Sequence, residues 1–425
     1  MEFLSHNCLA TNNCQPSTIK NISIFFILLL SPIFLLAQDK KSDLQDLRVD
    51  VVYLASDLLN GRETGTEGEE MAAQYIISRF KNLGLEAKGT DGYQQPFNFK
   101  FKPNPHEAAS EGRKGRNIVA FLDNGAQNTV VIGGHYDHLG IGRFGSRNVG
   151  EPAIHNGADD NASGVASILL LAKALKGSDL KNNNYLFIAF SGEELGLYGS
   201  KYFVNNPTIP LESINYMINL DMVGRLNADK VLAINGAGTS PAWKETFGKL
   251  NVRGIKVKTT DSGIGPSDHT SFYLQDIPAI HYFSGQHEDY HKPEDDSERV
   301  NYDGIYEISE HIYAVISALD GGGKIAFTKT KDENEGRTVS KFKVTLGVMP
   351  DYVYEGSGMR IDGVLSDRPA EAAGMEKGDI IIKIDEIEVK DIYDYMDGLA
   401  KFKKGDKTVV VVKREDKEVK MKVVF

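Results

Sequence analysis

Residues 117–138 read NIVAFLDNGAQNTVVIGGHYDH. Two β-rich runs, predicted as strands over 117–122 and 129–133, lead into His135-Tyr136-Asp137-His138. Downstream the same alternation repeats, with strands predicted over 185–190, 216–220, 231–234, 255–259 and 279–283. Helices are predicted between them over 162–175, 195–204, 241–250, 270–274 and 302–319. Apolar strands alternating with helices imply an α/β fold whose mainly parallel sheet is covered on both faces.

Upstream, residues 43–60 and 67–83 carry a helical apolar period, closed by Gly61 and Gly84. Residues 320–340 are Gly-rich, then charged, and read as a linker. Residues 341–425 change character again, with short alternating strands predicted over 341–346, 358–364, 379–384, 408–413 and 418–424 around two short helices. This is a compact β-rich module.

The amino terminus has its own pattern. Ile22 to Leu36 form an apolar run preceded by Lys20 and followed by Ala37, the layout of a secretory signal peptide with cleavage near Ala37. The run is shorter than a spanning helix needs and contains Pro32; an uncleaved anchor is the alternative. Cys8 and Cys14 both precede it, so a chain cut there has no cysteine for disulfides, thiol catalysis or metal binding. No other run approaches membrane length, so the mature chain is expected to have no stable membrane span, in the periplasm or secreted.

The chain has 425 residues and a formal net charge of −11. At roughly 100–200 residues per domain, two or three domains are expected. The acidic balance argues against nucleic acid as a partner. Seven of the ten histidines fall between positions 135 and 291.

Those histidines and several carboxylates sit where strands end. Successive strand ends deliver His135 and Asp137, Glu193 and Glu194, and Asp221; a loop opening a helix carries Asp159 and Asp160; His291 follows the last strand. In an open parallel sheet the carboxyl ends of strands form the rim where sites are built. Imidazoles and carboxylates gathered there suit divalent cations, zinc first, whereas carboxylates alone would repel one another.

Several stretches together resemble the ordered motifs of the two-zinc aminopeptidase family: His135-Tyr136-Asp137, residues 157–164 (GADDNASG), Gly192-Glu193-Glu194, Asn219-Leu220-Asp221-Met222 and Tyr290-His291. Residues 54–57 and 61–66, and Ser267-Asp268-His269, fit the same pattern, and the resemblance spans roughly 43–320. It implies a three-layer α/β/α zinc exopeptidase domain with two zinc ions. His135 and Asp221 would hold one ion, Glu194 and His291 the other, with Asp159 bridging and joined to Asp160 by a strained peptide bond. Glu193 would be the general base and Asp137 would orient His135. Asp268, His269, His281 and Tyr290 would shape the substrate pocket.

Residues 368–381 (RPAEAAGMEKGDII) resemble the PDZ domains of bacterial proteases, with Leu346, Gly347 and Val348 as the expected carboxylate-binding loop for a C-terminal peptide. The expected divisions are therefore a signal peptide over 1–37, a peptidase domain over 38–325, a linker over 326–340 and a PDZ-like domain over 341–425. The expected activity is removal of N-terminal residues from peptides or proteins. The alternatives are glutaminyl cyclisation, a carboxypeptidase in which Arg143 or Arg225 binds the substrate carboxylate, and an inactive peptide-binding protein.

Overall fold

The computed structural model describes residues 40–101, 111–148, 150–330, 344–350, 354, 356–364, 368–415 and 417–425. The expected signal peptide and most of the expected linker lie outside the described residues.

Helical backbone covers residues 46–54 (α1), and a short 3-10 segment follows over Asp57–Arg62. Helix α2, Glu67–Asn82, starts at Thr66, whose hydroxyl accepts from the Glu69 amide, while the Glu69 carboxylate accepts from the Gly65 amide at 2.7 Å. This resembles a Thr-x-x-Glu capping box: it satisfies the Glu69 N–H that helix geometry leaves free and ties down the Gly65 amide just before the N-cap.

One large sheet dominates the chain up to residue 283. Its strands are β1 (Glu86–Ala87), β2 (Gln94–Phe101), β3 (Glu111–Leu122), β4 (Asn128–His135), β5 (Asn183–Phe190), β6 (Ile214–Leu220), β7 (Val231–Asn235), β8 (Lys256–Thr259) and β9 (Ala279–Phe283). Their order is β1-β3-β5-β4-β6-β9-β7-β8, with β2 added to β3. The centre, β5-β4-β6-β9, is parallel throughout. Strand β3 runs antiparallel to β5, and the parallel pair β7-β8 joins β9 antiparallel. The sheet is thus mixed around a parallel core.

That core explains the continuous apolar strands. Every residue of β5 and of β6 is buried, which requires cover on both faces. On one face, Val131, Leu186, Ile188 and Met217 pack with Phe203 from helix α4 (Tyr198–Asn205) and Phe272 from helix α6 (His269–Tyr273). The other face carries α2, α3 (Gly164–Lys176), α5 (Pro241–Lys249) and α7 (Tyr302–Leu319): α2 and α3 touch each other, and α3 and α5 both touch α7. Phe80 of α2 meets Phe187, and Trp243 of α5 meets Tyr216 edge-on at 5.2 Å. The three-layer expectation holds.

Strand β2 was not anticipated from sequence. It is an edge strand paired with β3 over eight residues, with Phe97, Phe99 and Phe101 turned inward onto Tyr198 and Tyr202.

The carboxy-terminal module has a second, wholly antiparallel sheet: β10 (Val348–Pro350), β11 (Met359–Val364), β12 (Ile380–Ile384), β14 (Lys407–Arg414) and β15 (Lys417–Val424), with β13 (Ile387–Glu388) on β12. Two helices, α8 (Pro369–Ala372) and α9 (Ile392–Ala400), complete it. Buried Asp379 is gripped by Arg414 at 2.6 and 2.7 Å. The first strand predicted for this module, over 341–346, falls too early: Leu346 lies in the core of the module and the strand runs over Val348–Pro350.

Candidate metal centre and active site

Strand β4 ends at His135, and the chain turns through Asp137 and His138. The His135 ring donates Nδ1–H to the backbone carbonyl of Asp137 at 3.1 Å, so Nε2 faces the rim with a lone pair. There it meets Asp221, directly after β6, at 3.3 Å and Asp160 at 3.2 Å. His291 is built the same way: Nδ1–H donates to Gly145 O at 2.9 Å and Nε2 lies 3.2 Å from both Asp160 and Glu194. A backbone carbonyl on the far nitrogen fixes the tautomer and direction of each imidazole, the usual support for a metal-ligating histidine.

Asp160 therefore stands in the middle, one carboxylate oxygen toward His135 and the other toward His291. This corrects the sequence reading, which gave that place to Asp159. Asp159 is turned the other way: one of its oxygens accepts from the Gly224 amide and the Ser163 hydroxyl, and the other lies 3.1 Å from His287 Nε2. The loop conformation decides between two adjacent aspartates. Residues Ala158–Ser163 form a kinked turn after Gly157, which has φ +58°. A Cβ at Gly157 would meet Asp160 O at 2.2 Å and the His138 ring at 2.5 Å, so only glycine fits. The cis peptide bond of this loop joins Asp160 to Asn161, one residue later than the bond expected to be unusual.

Three supports hold the loop and its surroundings. The buried Asp295 carboxylate accepts both the Asp159 and Asp160 amides at 3.0 Å. Buried Arg62 donates to the carbonyls of Tyr136, Asn156 and Gly157 at 2.8, 2.6 and 3.1 Å, and also to that of Leu54. Thr64 donates to Asp137 at 2.8 Å, and the other Asp137 oxygen accepts the Glu193 amide at 3.2 Å. The opening motif at residues 61–64 thus works as a clamp on the rim.

Glu194 follows β5; one oxygen faces His291 and the other lies 2.7 Å from His138 Nδ1. His138 was missed in the sequence, although it stands three residues after His135. Its Nε2 is buried without a hydrogen-bond partner among the described residues. Two sets among the described residues bring ligand atoms within 4.8 Å of one another: His135, Asp160 and Asp221, and His138, Asp160 and Glu194.

The electrostatics ask for positive charge here. Burial pushes the Glu193 carboxyl well up; His135 opposes this, while Asp221, Asp268 and Glu194 add to it. Burial alone would lower His291, but Glu194 and Asp160 outweigh it and raise the ring to about 10. Carboxylates packed this closely hold imidazolium protons in place of a harder cation. Two inward-facing imidazole lone pairs with shared carboxylates are a donor set that fits zinc.

The remaining predicted pocket residues are placed more deeply. Asp268 and His269 are fully buried, and neither side chain has a hydrogen-bond partner among the described residues. Burial raises Asp268 to about 7. His269 stacks on His281 at 5.0 Å, and His281 meets Asn235 at 3.3 Å. Tyr290 stacks on His291 at 3.9 Å. Arg225 is consumed by Asp289 and Asp295 at 3.0 and 3.3 Å, and Arg143 is exposed. In the second module, Leu346 is buried and the Gly347 amide already donates to Thr345 Oγ1 at 3.0 Å.

Residues 117–316 match peptidase family M28, and residues 325–424 match the PDZ domain. Residues 117–316 thus carry the similarity to peptidase family M28. Leupeptin-inactivating enzyme 1 of Streptomyces exfoliatus is 30% identical to it over 215 residues, 48% of this chain and 45% of that one. Aminopeptidase YwaD of Bacillus subtilis is 27% identical over 198 residues, 44% and 40% of the two chains. The chain spans about half the length of the curated relatives it matches. In fold, a zinc aminopeptidase from Bacillus subtilis superposes with a TM-score of 0.52 at 17% identity, covering 67% of this chain and 95% of that one. The Porphyromonas gingivalis glutaminyl cyclase superposes with a TM-score of 0.52 at 18% identity, covering 66% and 98%. The M28 domain is followed by the PDZ domain, as the sequence resemblance implies.

Proposed function

We propose that this chain is a zinc-dependent aminopeptidase that releases N-terminal residues from peptides. The observation that carries the reading is Asp160, shared between His135 and His291 with Asp221 and Glu194 on either side. His135 and Asp221 would hold one zinc ion and Glu194 and His291 a second, with Asp160 common to both. When bound, such a pair acidifies a water and polarises the scissile carbonyl. Asp137 and His138 position this set, the first behind His135 and Glu193, the second behind Glu194.

Glu193 is the general base. Its amide is tied to Asp137 at 3.2 Å, and burial raises its carboxyl so that it takes a proton readily. It accepts the proton of the attacking water and passes it to the leaving amine. Glu193→Gln keeps the shape and the ligands but cannot take the proton. Turnover is expected to fall roughly 10²–10⁴-fold with zinc content unchanged by elemental analysis; near wild-type kcat would remove Glu193 from this role. Product analysis on a peptide with N-terminal Gln separates free glutamine from the pyroglutamate a cyclase would form. The capture of Arg225 by Asp289 and Asp295 counts against the carboxypeptidase that relied on it.

The reading extends to the rest of the chain. Lys20, the apolar run to Leu36 and Ala37 support export by a cleaved leader, and among the described residues no helix is long and apolar enough to cross a membrane. Strand β10 pairs only with β11 among the described residues, and its free edge supports addition of an extended C-terminal peptide as a further strand.

A further inference from the structure

The chain after His138 crosses over the candidate ligand His291. Gly145 O accepts from the His291 ring and the Arg147 amide donates to His291 O, both at 2.9 Å. Arg147 is thereby fixed in place beside the site. Its guanidinium lies over the Tyr290 ring, 4.5 Å from the centroid, and that ring stacks on His291 at 3.9 Å.

Four other arginines around the rim are engaged, and Arg143 is exposed. Arg62 holds four carbonyls, Arg113 pairs with Glu63 at 2.7 Å, and Arg225 and Arg299 share Asp289. Arg147 has no ion pair among the described residues, and its Nη1 is buried without an acceptor. The aromatic ring covers a face of the guanidinium and Nη1 is closed to solvent, so the Nε and Nη2 edge of this half-buried side chain is what remains for a planar anion, the geometry that suits a carboxylate.

The distance suits the carboxylate of a short peptide. With 4.5 Å from the guanidinium carbon to the Tyr290 centroid and 3.9 Å from there to the His291 centroid, the two groups are at most about 8.4 Å apart, and an extended peptide advances about 3.3–3.6 Å per residue. A terminal carboxylate one or two residues beyond the scissile bond falls in that range. Resting on the aminopeptidase reading above, we propose that Arg147 binds the free α-carboxylate of short substrates, making the site selective for unblocked di- and tripeptides.

The test compares a dipeptide and a tripeptide, each as free acid and as C-terminal amide, on the zinc-loaded full chain. The free acids are expected to show kcat/KM about tenfold or more above the amides, and Arg147→Met is expected to bring the ratio near one. A wild-type ratio near one overturns the proposal. So does a variant that loses activity on both forms equally, since that is the mark of a residue that only packs His291. If neither form is cleaved, the aminopeptidase reading fails by itself. Calorimetric binding of the same peptides to zinc-loaded Glu193→Gln, with and without Arg147→Met, then decides for Arg147: about tenfold tighter binding of the free acid that vanishes with Arg147→Met supports it, and equal or absent binding overturns it.

Discussion

Glu194 and His138 meet at 2.7 Å, carboxylate oxygen to imidazole Nδ1, on the side of Glu194 away from His291. An ion held by Glu194 would therefore feel His138 indirectly, through the direction and basicity of the carboxylate. His138→Leu is expected to weaken zinc binding by roughly 10–100-fold without unfolding the chain, measured by chelator competition. His138→Asn, which keeps a donor near the Nδ1 position, is expected to recover part of the loss. Unchanged affinity in His138→Leu would make the contact incidental.

The two adjacent aspartates are expected to separate cleanly. Asp160→Asn removes the charge shared by His135 and His291, and zinc measured by elemental analysis should fall well below wild type. Asp159→Asn should keep its zinc, because its carboxylate serves Gly224, Ser163 and His287. Its expected effect is on stability, about 1–2 kcal/mol, read from urea unfolding. The reverse pattern would return the central place to Asp159.

Arg62 should be costly to replace. Arg62→Met leaves the buried carbonyls of Leu54, Tyr136, Asn156 and Gly157 without their donor. A loss of roughly 3 kcal/mol or more is expected, with Arg62→Lys only partly better because one ammonium cannot reach four carbonyls spread around a planar fork. Urea midpoints equal to wild type would sink this account.

Stability should also depend on pH through His311, which lies on α7. Burial lowers its pKa to about 4, and its Nδ1 meets the Tyr282 hydroxyl at 3.2 Å. The unfolded chain takes a proton near pH 6.5 while the folded chain stays neutral, so the unfolded state binds more protons between these values. Stability falls as pH drops from about 6.5 to about 4, by about 3 kcal/mol in total from this group. His311→Phe cannot be protonated, so its unfolding free energy should change less over that window. Parallel curves for the two proteins would remove His311 from the account.

The architecture was legible because periodicity reports burial. Strand β9 and helix α7 fall where the apolar pattern predicts them, and the wholly buried β5 and β6 announce a covered sheet. Strand β2 was missed although Phe97, Phe99 and Phe101 alternate; Pro96 argues against a central strand, and the structure places β2 at an edge. The site was legible at strand ends, where one residue leads directly to the rim. It was not legible in the Asp159-Asp160 loop, where a kinked turn rather than a period sets which carboxylate faces inward. Nor were Asp295, Arg62 and His138 readable as supports, because their roles lie in contacts across 135, 94 and 56 positions of sequence.

The grip of Asp295 on the Asp159 and Asp160 amides ties the order of synthesis to the onset of chemistry. His135, Asp160, Glu194 and Asp221 all leave the ribosome before the residues that complete and brace them, His291 and Asp295. Until that last loop emerges, the growing chain carries only a partial ligand set on an unbraced turn. Under the aminopeptidase reading proposed above, the growing chain would lack its complete ligand set until nearly all of the domain had been made.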